Sequence, residues 1–411
     1  MNNIDTGATA LVLVSAALVM LMTPGLAFFY GGLVRRKNVL TIMMQSFISM
    51  GIVTIIWVFG GFSLAFGKDI GGIIGNPSQY FALQGVINDV KAIPGPGLTQ
   101  NIPMLAFFVF QEMFAIITPA LITGAFADRV SFKSYLIFLV LWSYLVYIPF
   151  AHWVWGGGFL QLMHFQDFAG GMVVHASAGT AALASVLFVG KRKLKKGEKP
   201  VPHNITYVAL GAALLWFGWF GFNGGSALGS NGLAAVAWVN TDVAASFAMI
   251  TWMIIDWIRL GKPSMVGALT GSVAGLATVT PAAGFVQPWA AAVIGIVCCF
   301  VCYGAIMLRA QWNLDDALDV WGVHGVGGFI GLLFLGIFAS ASVNQVSGLI
   351  EGNINQFLVQ LLGAAIAVVY SFVITYVLLW LINLITPVRV PEQVETKGLD
   401  KGIFGEDAYV E

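Results

Sequence analysis

Histidine occurs at 152, 164, 175, 203 and 324, and two of these five carry the strongest chemical signal. His175 closes the run Asp167-Phe168-Ala169-Gly170-Gly171-Met172-Val173-Val174. His324 follows Asp316 through Asp319 and Gly322-Val323. Each therefore lies eight residues after an aspartate, inside an apolar stretch. An ionisable group in such a stretch costs free energy to bury and marks a functional site with a partner. The best partner for each histidine is the other. Facing imidazoles can share one proton and leave ring nitrogens for a small polar molecule, titrating as a unit. Asp167 and Asp316 stand ahead of helical runs, where a carboxylate accepts the free N–H groups of the first turn and complements the helix dipole. Structural support is their expected role, ahead of direct substrate contact.

The elements that carry these residues read as membrane helices. Of 411 residues, 58% are hydrophobic and 9% charged, a composition foreign to water-soluble domains. A helix of about 20 apolar residues crosses the hydrocarbon layer. Eleven such spans are expected, at 8–30, 39–66, 103–127, 134–155, 169–189, 205–225, 232–258, 265–283, 288–308, 320–340 and 355–386. Basic residues alternate from loop to loop. Arg35, Arg36 and Lys37 follow span 1, Arg129 and Lys133 span 3, the stretch 191–199 span 5, Arg259 and Lys262 span 7, and Arg309 span 9, while Arg389, Lys397 and Lys401 lie in the tail. Among the 19 basic residues only Lys68 and Lys91, both after span 2, break the pattern. The positive-inside bias then predicts an N-terminus outside and a C-terminus in the cytoplasm. Met1 to Gly7 has no basic n-region, so no cleavable signal peptide is expected. Zero net charge argues against a nucleic-acid partner.

Phe29-Tyr30-Gly31-Gly32 in span 1 is similar to Phe222-Asn223-Gly224-Gly225 in span 6, and the Asp-to-His spacing repeats between spans 5 and 10. Spans 1–5 and 6–10 thus read as two related halves, with span 11 additional. Because five is odd, the second half must lie upside down, about an axis in the membrane plane, with a site near the midplane. Such inversion brings His175 and His324 together in one pore. Glycine, at 49 residues, supplies close helix packing, including Gly170, Gly171, Gly224, Gly225, Gly325, Gly327 and Gly328.

Several ordered motifs add a family resemblance over nearly the whole chain. These are Pro24-Gly25 with Phe29-Tyr30-Gly31-Gly32 and Arg36-Lys37-Asn38; Phe110-Gln111 with Phe114-Ala115; Trp155-Gly156-Gly157-Gly158; Asp167 to Gly171 with His175-Ala176-Ser177-Ala178-Gly179 and Gly190-Lys191-Arg192; Trp219-Phe220-Gly221-Phe222-Asn223 with Ser226; and Gly322-Val323-His324-Gly325. Together they resemble the ammonium transporter (Amt/Mep/Rh) family, nearest to its bacterial and archaeal Amt members. The resemblance implies an all-α, eleven-span protomer, usually a homotrimer, with a pore in each subunit and no cofactor. It implies an outer vestibule recruiting ammonium at Trp155, Ser226 and Phe114, a gate of Phe114 and Phe222, the His175/His324 relay, and a cytoplasmic exit near Phe29 and Tyr30. It further implies a transport domain at 1–387 and a cytoplasmic regulatory tail at 388–411 that can answer a PII-type protein.

The residue types suit that substrate. An indole face holds a cation for about 0.5–2 kcal/mol, and a serine hydroxyl accepts an N–H hydrogen bond. Burial disfavours the charged form of an amine. Ammonium can answer by giving up a proton, which potassium cannot do. Ammonia and a proton are expected to travel separately, making transport electrogenic.

The remaining features read as structural. His152, His164 and His203 are expected to be packed or solvated, and Cys298, Cys299 and Cys302 to be packing residues. Glu112, between Phe110 and Phe114, should turn away from their helix face toward another helix or subunit. The polar tail reads as a soluble segment. Two other functions fit the paired histidines: an ammonium sensor with little flux, and a membrane electron-transfer protein with the two imidazoles as axial haem ligands.

Overall fold

In lipid the backbone must satisfy its own polar groups, which leaves helices as the available form for apolar runs of this length. The computed structural model describes residues 4–93, 100–194 and 200–409. Lys195, Lys196, Lys199 and Glu411 lie outside the described residues. Ten helices among the described residues are long and apolar enough to cross a membrane. They are α1 (Thr6–Leu33), α2 (Arg36–Phe66), α3 (Met104–Ile122), α4 (Phe132–Leu162), α5 (Gly171–Val189), α6 (Ile205–Gly224), α7 (Gly232–Leu260), α9 (Pro288–Gln311), α10 (Trp321–Phe338) and α11 (Ile354–Ile385). Between α7 and α9 lies a shorter apolar helix, α8 (Met265–Val279). At 15 residues it is about 22 Å long, short of a ~30 Å hydrocarbon layer. The expected span at 265–283 is therefore helical only to Val279, ahead of Pro281, and turns complete it. All the other expected runs overlap one of the long helices.

Short polar side chains start these helices. Asp5 accepts from Ala8 N at 2.7 Å, Asn204 from Tyr207 N at 3.0 Å, Asn231 from Ala234 N at 3.1 Å, and Ser264 from Gly267 N at 3.0 Å. Small residues bring the helices together, as bilayer packing requires. The first helices of the two sequence halves, α1 and α6, lie against each other: Gly25 faces Leu214 and Leu215, and Gly32 faces the Asn204 carbonyl and Val208. Outside this arrangement, α11 lies on α4 and α5. Thr375 accepts from Trp142 Nε1 at 3.0 Å, and Ser371 Oγ donates to Ser177 O at 2.7 Å.

The loops sort into two ends. At one, which we call the basic end, Asp128 accepts from Arg35 Nε at 2.9 Å and lies 3.5 Å from Arg192 Nη1, and Arg192 Nη2 meets Asp315 at 2.7 Å. The segments after α1, α3, α5 and α9 therefore share one ionic cluster. The tail is tied to the same end. Ser131 N donates to Val388 O (2.8 Å), and Val390 N to Arg129 O (2.9 Å). Glu395 pairs with Arg389 at 2.8 Å and accepts from Lys193 N. Asp400 accepts from the N–H groups of Leu40 and Thr41 at 3.0 and 2.8 Å, and Asn38 Oδ1 from Leu399 N at 2.8 Å. The tail, which composition reads as a soluble segment, is docked on the loops at Val388, Val390, Glu395, Leu399 and Asp400.

At the opposite end, His152 is buried between Ala65 O and Asp69 Oδ1, 2.9 Å from each, and Phe159 N donates to Gly72 O at 2.9 Å. Ser230 Oγ reaches Gly7 O at 2.8 Å. The segment between α2 and α3 forms two antiparallel pairs, β1 (Asp69–Ile70) with β2 (Ile74–Gly75) and β3 (Val90–Ile93) with β4 (Gln100–Pro103).

Candidate functional site

Two helix starts from opposite halves meet at the centre. A helix-wide approach needs residues without side chains at the crossing, and both halves supply one at the same place, four residues after the histidine. Gly179 lies against the Gly325 backbone, where an added methyl would overlap it. A methyl at Gly328 would come 2.6 Å from Ala176 N and 2.9 Å from His175 Cβ. Both histidines sit in π-helical turns, Gly171–Ala176 and Trp321–Val326, a widened geometry frequent at functional positions. As a result Nδ1 of His324 is 3.2 Å from Nδ1 of His175, and the rings are nearly parallel, 18° apart, with centroids 5.2 Å apart. Such a contact needs the proton on one nitrogen and the lone pair on the other. Trp219 stacks against His175 at 5.4 Å and 21°, its own Nε1 held by Thr280 Oγ1 at 2.9 Å. Nε2 of His175 is buried and has no hydrogen-bond partner among the described residues.

Asp167 precedes the first of these turns and accepts four backbone N–H groups: Gly170 and Gly171 on Oδ1 at 2.8 and 2.7 Å, Met172 and Val173 on Oδ2 at 2.7 and 3.3 Å. Asp316 accepts from Trp321 N at 2.8 Å with Oδ2, while its buried Oδ1 has no partner among the described residues. Next to it, Asp315 points the other way. Burial pushes this carboxyl up, but the hydrogen bonds and charge of Arg192, with Arg129 beyond, outweigh burial and bring it down to about 2.

Three cavities follow one another past the histidines. The first, about 570 Å³, opens at the end opposite the basic one and is lined by Phe114, Trp155, Ser226, His164, Gln111 and Lys91 among others. Trp155 is fixed there by its Nε1, which donates to Asp167 O at 2.8 Å, and Ser226 Oγ donates to Phe222 O at 2.8 Å, leaving its lone pairs for an incoming N–H. Beneath lie the rings of Phe114 and Phe222, centroids 4.3 Å apart. The second cavity is apolar and only about 10 Å³, at the threshold for one water-sized molecule; Phe222, His175, His324, Trp219, Phe29 and Tyr30 line it. The third, about 190 Å³, shares Phe29, Tyr30 and His324 with the second and adds Asp319 at the basic end. Tyr30 is buried, and its hydroxyl donates to Leu121 O at 2.9 Å.

Every site residue singled out from the sequence thus lies along this line or supports it. Glu112 does not. It is buried on α3 facing the Thr54 hydroxyl of α2, away from the cavities. His203 bonds to Val34 O and Tyr409 OH at the basic end. Sequence reasoning named Gly328 for close packing, as the structure has it, but missed the indole of Trp219 against His175 and the matching position of a glycine four residues after each histidine. The second was readable, as His175-Ala176-Ser177-Ala178-Gly179 beside His324-Gly325-Val326-Gly327-Gly328.

Comparison with known proteins agrees with the geometry. The Ammonium Transporter Family model matches residues 10–409. An ammonium transporter from Aquifex aeolicus is 46% identical over 408 residues, covering 99% of this chain and 94% of the relative; one from Bacillus subtilis is 46% identical over 409, covering 98% of each. The crystal structure of Saccharomyces cerevisiae Mep2 has a TM-score of 0.87 at 37% identity, covering 95% of this chain and 91% of that one. A solved sensor Amt protein has a TM-score of 0.88 at 28% identity, covering 97% and 98%. This multi-pass membrane chain, with its paired histidines between two cavities, belongs to the ammonium transporter family.

Proposed function

We propose that the chain carries ammonium across the cell membrane, recruiting the cation in the larger vestibule and passing ammonia and its proton separately through the narrow cavity. The observation that carries this reading is the 3.2 Å contact between His175 and His324 in an otherwise apolar constriction of about 10 Å³. A bare cation loses several kcal/mol or more of hydration in such a space. The indole of Trp155 and the Ser226 hydroxyl, with Phe114, hold ammonium before it. Phe114 and Phe222 separate it from bulk water, and the proton left at deprotonation crosses by the imidazole pair while ammonia passes beside it. Asp167 and Asp316 hold the helix starts that aim the histidines. The product leaves past Phe29 and Tyr30.

Eleven spans in two inverted halves, the basic end in the cytoplasm and the N-terminus outside, complete the proposed arrangement. The clustering of the odd-numbered loops and the tail at one end supports it. Residues 1–387 form the transport unit, assembled as a homotrimer, and 388–411 a regulatory tail whose docking on the loops offers a PII-type protein a place to act. A haem between the imidazoles fits poorly: a metal bonded to both would part the nitrogens by about 4 Å, and the cavity has no room for a porphyrin.

Purified protein in proteoliposomes, recorded on a solid-supported membrane, tests the reading. Wild type should give an ammonium current and no potassium current, and His175→Ala/His324→Ala should lose that selectivity. Ammonia flux without current would favour a neutral channel. The likeness to a sensor Amt protein sustains one second reading, binding with little flux. Uptake in cells lacking their own transporters separates the two.

A further inference from the structure

The larger vestibule, proposed to attract a cation, already contains one. Lys91 sits on β3, in the only loop that departs from the basic alternation, and lines the same 570 Å³ cavity as Trp155, Phe114 and Ser226. Its Nζ lies 4.8 Å from the centroid of the Phe107 ring, over the aromatic face. Phe107 is itself buried and packed edge-on against Phe66 at 4.9 Å, so the ring is rigidly placed. A primary ammonium on an aromatic face is the interaction expected of the substrate at Trp155. Among the described residues no carboxylate forms an ion pair with Lys91. The other titratable groups lining the cavity are His164, which is exposed, and Asp167, whose oxygens are both taken by backbone N–H groups of residues 170–173. Asp89, two residues before Lys91, is held by the Tyr80 hydroxyl and Val90 N. Lys91 therefore carries its charge into the cavity without a direct ion-pair partner, the Asp167 carboxylate in the same lining being engaged with its own helix start.

We propose that Lys91 is a tethered cation that occupies the Phe107 face of the vestibule and, by like-charge repulsion, sets how weakly the neighbouring Trp155 site holds ammonium. This rests on the transport reading above. Repulsion between unit charges across a solvent-filled cavity is modest and strongly screened by salt, which makes ionic strength the diagnostic variable. Burial also pushes the Lys91 amine below the ordinary lysine range, consistent with a charge held partly out of water.

The test measures the half-saturating ammonium concentration for the current in proteoliposomes, with wild type, Lys91→Met and Lys91→Arg, at about 10 mM and about 1 M sodium chloride, where the Debye length falls from about 30 to about 3 Å. Methionine keeps an aliphatic side chain over Phe107 and removes the charge. We expect Lys91→Met to lower the half-saturating concentration about fivefold at low salt, to converge on wild type at high salt, and Lys91→Arg to match wild type throughout. Equal values for wild type and Lys91→Met at low salt, or a shift in both variants that ignores salt, overturn the inference while leaving transport intact. A wild-type protein without any saturable ammonium current overturns the transport reading and this inference with it.

Discussion

The two histidine-bearing segments share one frame and use it differently. In both, the aspartate is followed three residues later by a left-handed residue and eight residues later by the histidine. The left-handed position is Gly170, φ 113°, in the first half and Asp319, φ 58°, in the second. Glycine adopts that backbone without a Cβ penalty, while aspartate is among the few other types that visit it. In the first half Asp167 then gathers four N–H groups at a buried site beside the larger vestibule. In the second, Asp316 gathers one from Trp321, and Asp319 pairs with Arg309 at 2.5 Å beside the smaller cavity at the basic end. A repeated sequence frame thus preserved backbone path and histidine position, while the number of backbone N–H groups gathered by two equally buried aspartates differs.

The largest test of this contrast lies at the crossing both halves share. Gly179→Val places side-chain atoms on the Gly325 backbone, which cannot give way, and should abolish monodisperse protein in size-exclusion chromatography. Gly328→Ala, meeting Ala176 N at 2.6 Å, should survive with a loss near the upper end of the ~1–3 kcal/mol typical of over-packing. Equal tolerance would mean the crossing is looser than described. Next come the aspartates. Asp167→Ala strands four buried donors and should cost at least ~3 kcal/mol, against ~1 kcal/mol for Asp316→Ala, read as thermal unfolding in detergent. Similar losses would erase the asymmetry.

A pH series sharpens the second half further. Asp315 titrates at about 2, below its ordinary value near 3.8, so its pairing with Arg192 stabilises the fold above the ordinary value and is lost as pH falls through about 2. Wild type should exceed Asp315→Asn by about 2 kcal/mol at pH 5–6, and the difference should shrink as the sample is acidified below pH 4. The smallest effect is expected from Asp319→Gly, which keeps the left-handed backbone and removes an ion pair whose side chains are 18% and 32% exposed, for under ~1 kcal/mol. A larger loss would make that pair, rather than the backbone turn, the support of the second segment.

Much of the architecture was legible because its signals are local. A run of apolar residues declares a membrane helix wherever it lies, and the alternation of Arg35, Arg129, Arg192 and Arg309 marks loops that do gather at one end. The exception was 265–283, where the apolar run outlasted the helix because Pro281 ends helical hydrogen bonding without changing hydropathy. The tail was illegible on composition alone. Its order comes from partners more than 200 residues away, such as Lys193 for Glu395 and Thr41 for Asp400.

Residue type and spacing alone determined that this chain lives in a membrane and that His175 and His324, each eight residues after an aspartate, belong together, since each follows from properties a residue carries with it. Tertiary structure alone decided that the imidazoles touch edge to edge beside Trp219, that Asp167 and Asp316 are unequal, and that the amine of Lys91 shares a cavity with Trp155. Those outcomes depend on distances between segments remote in sequence, and such distances are set by how glycine-lined helices cross.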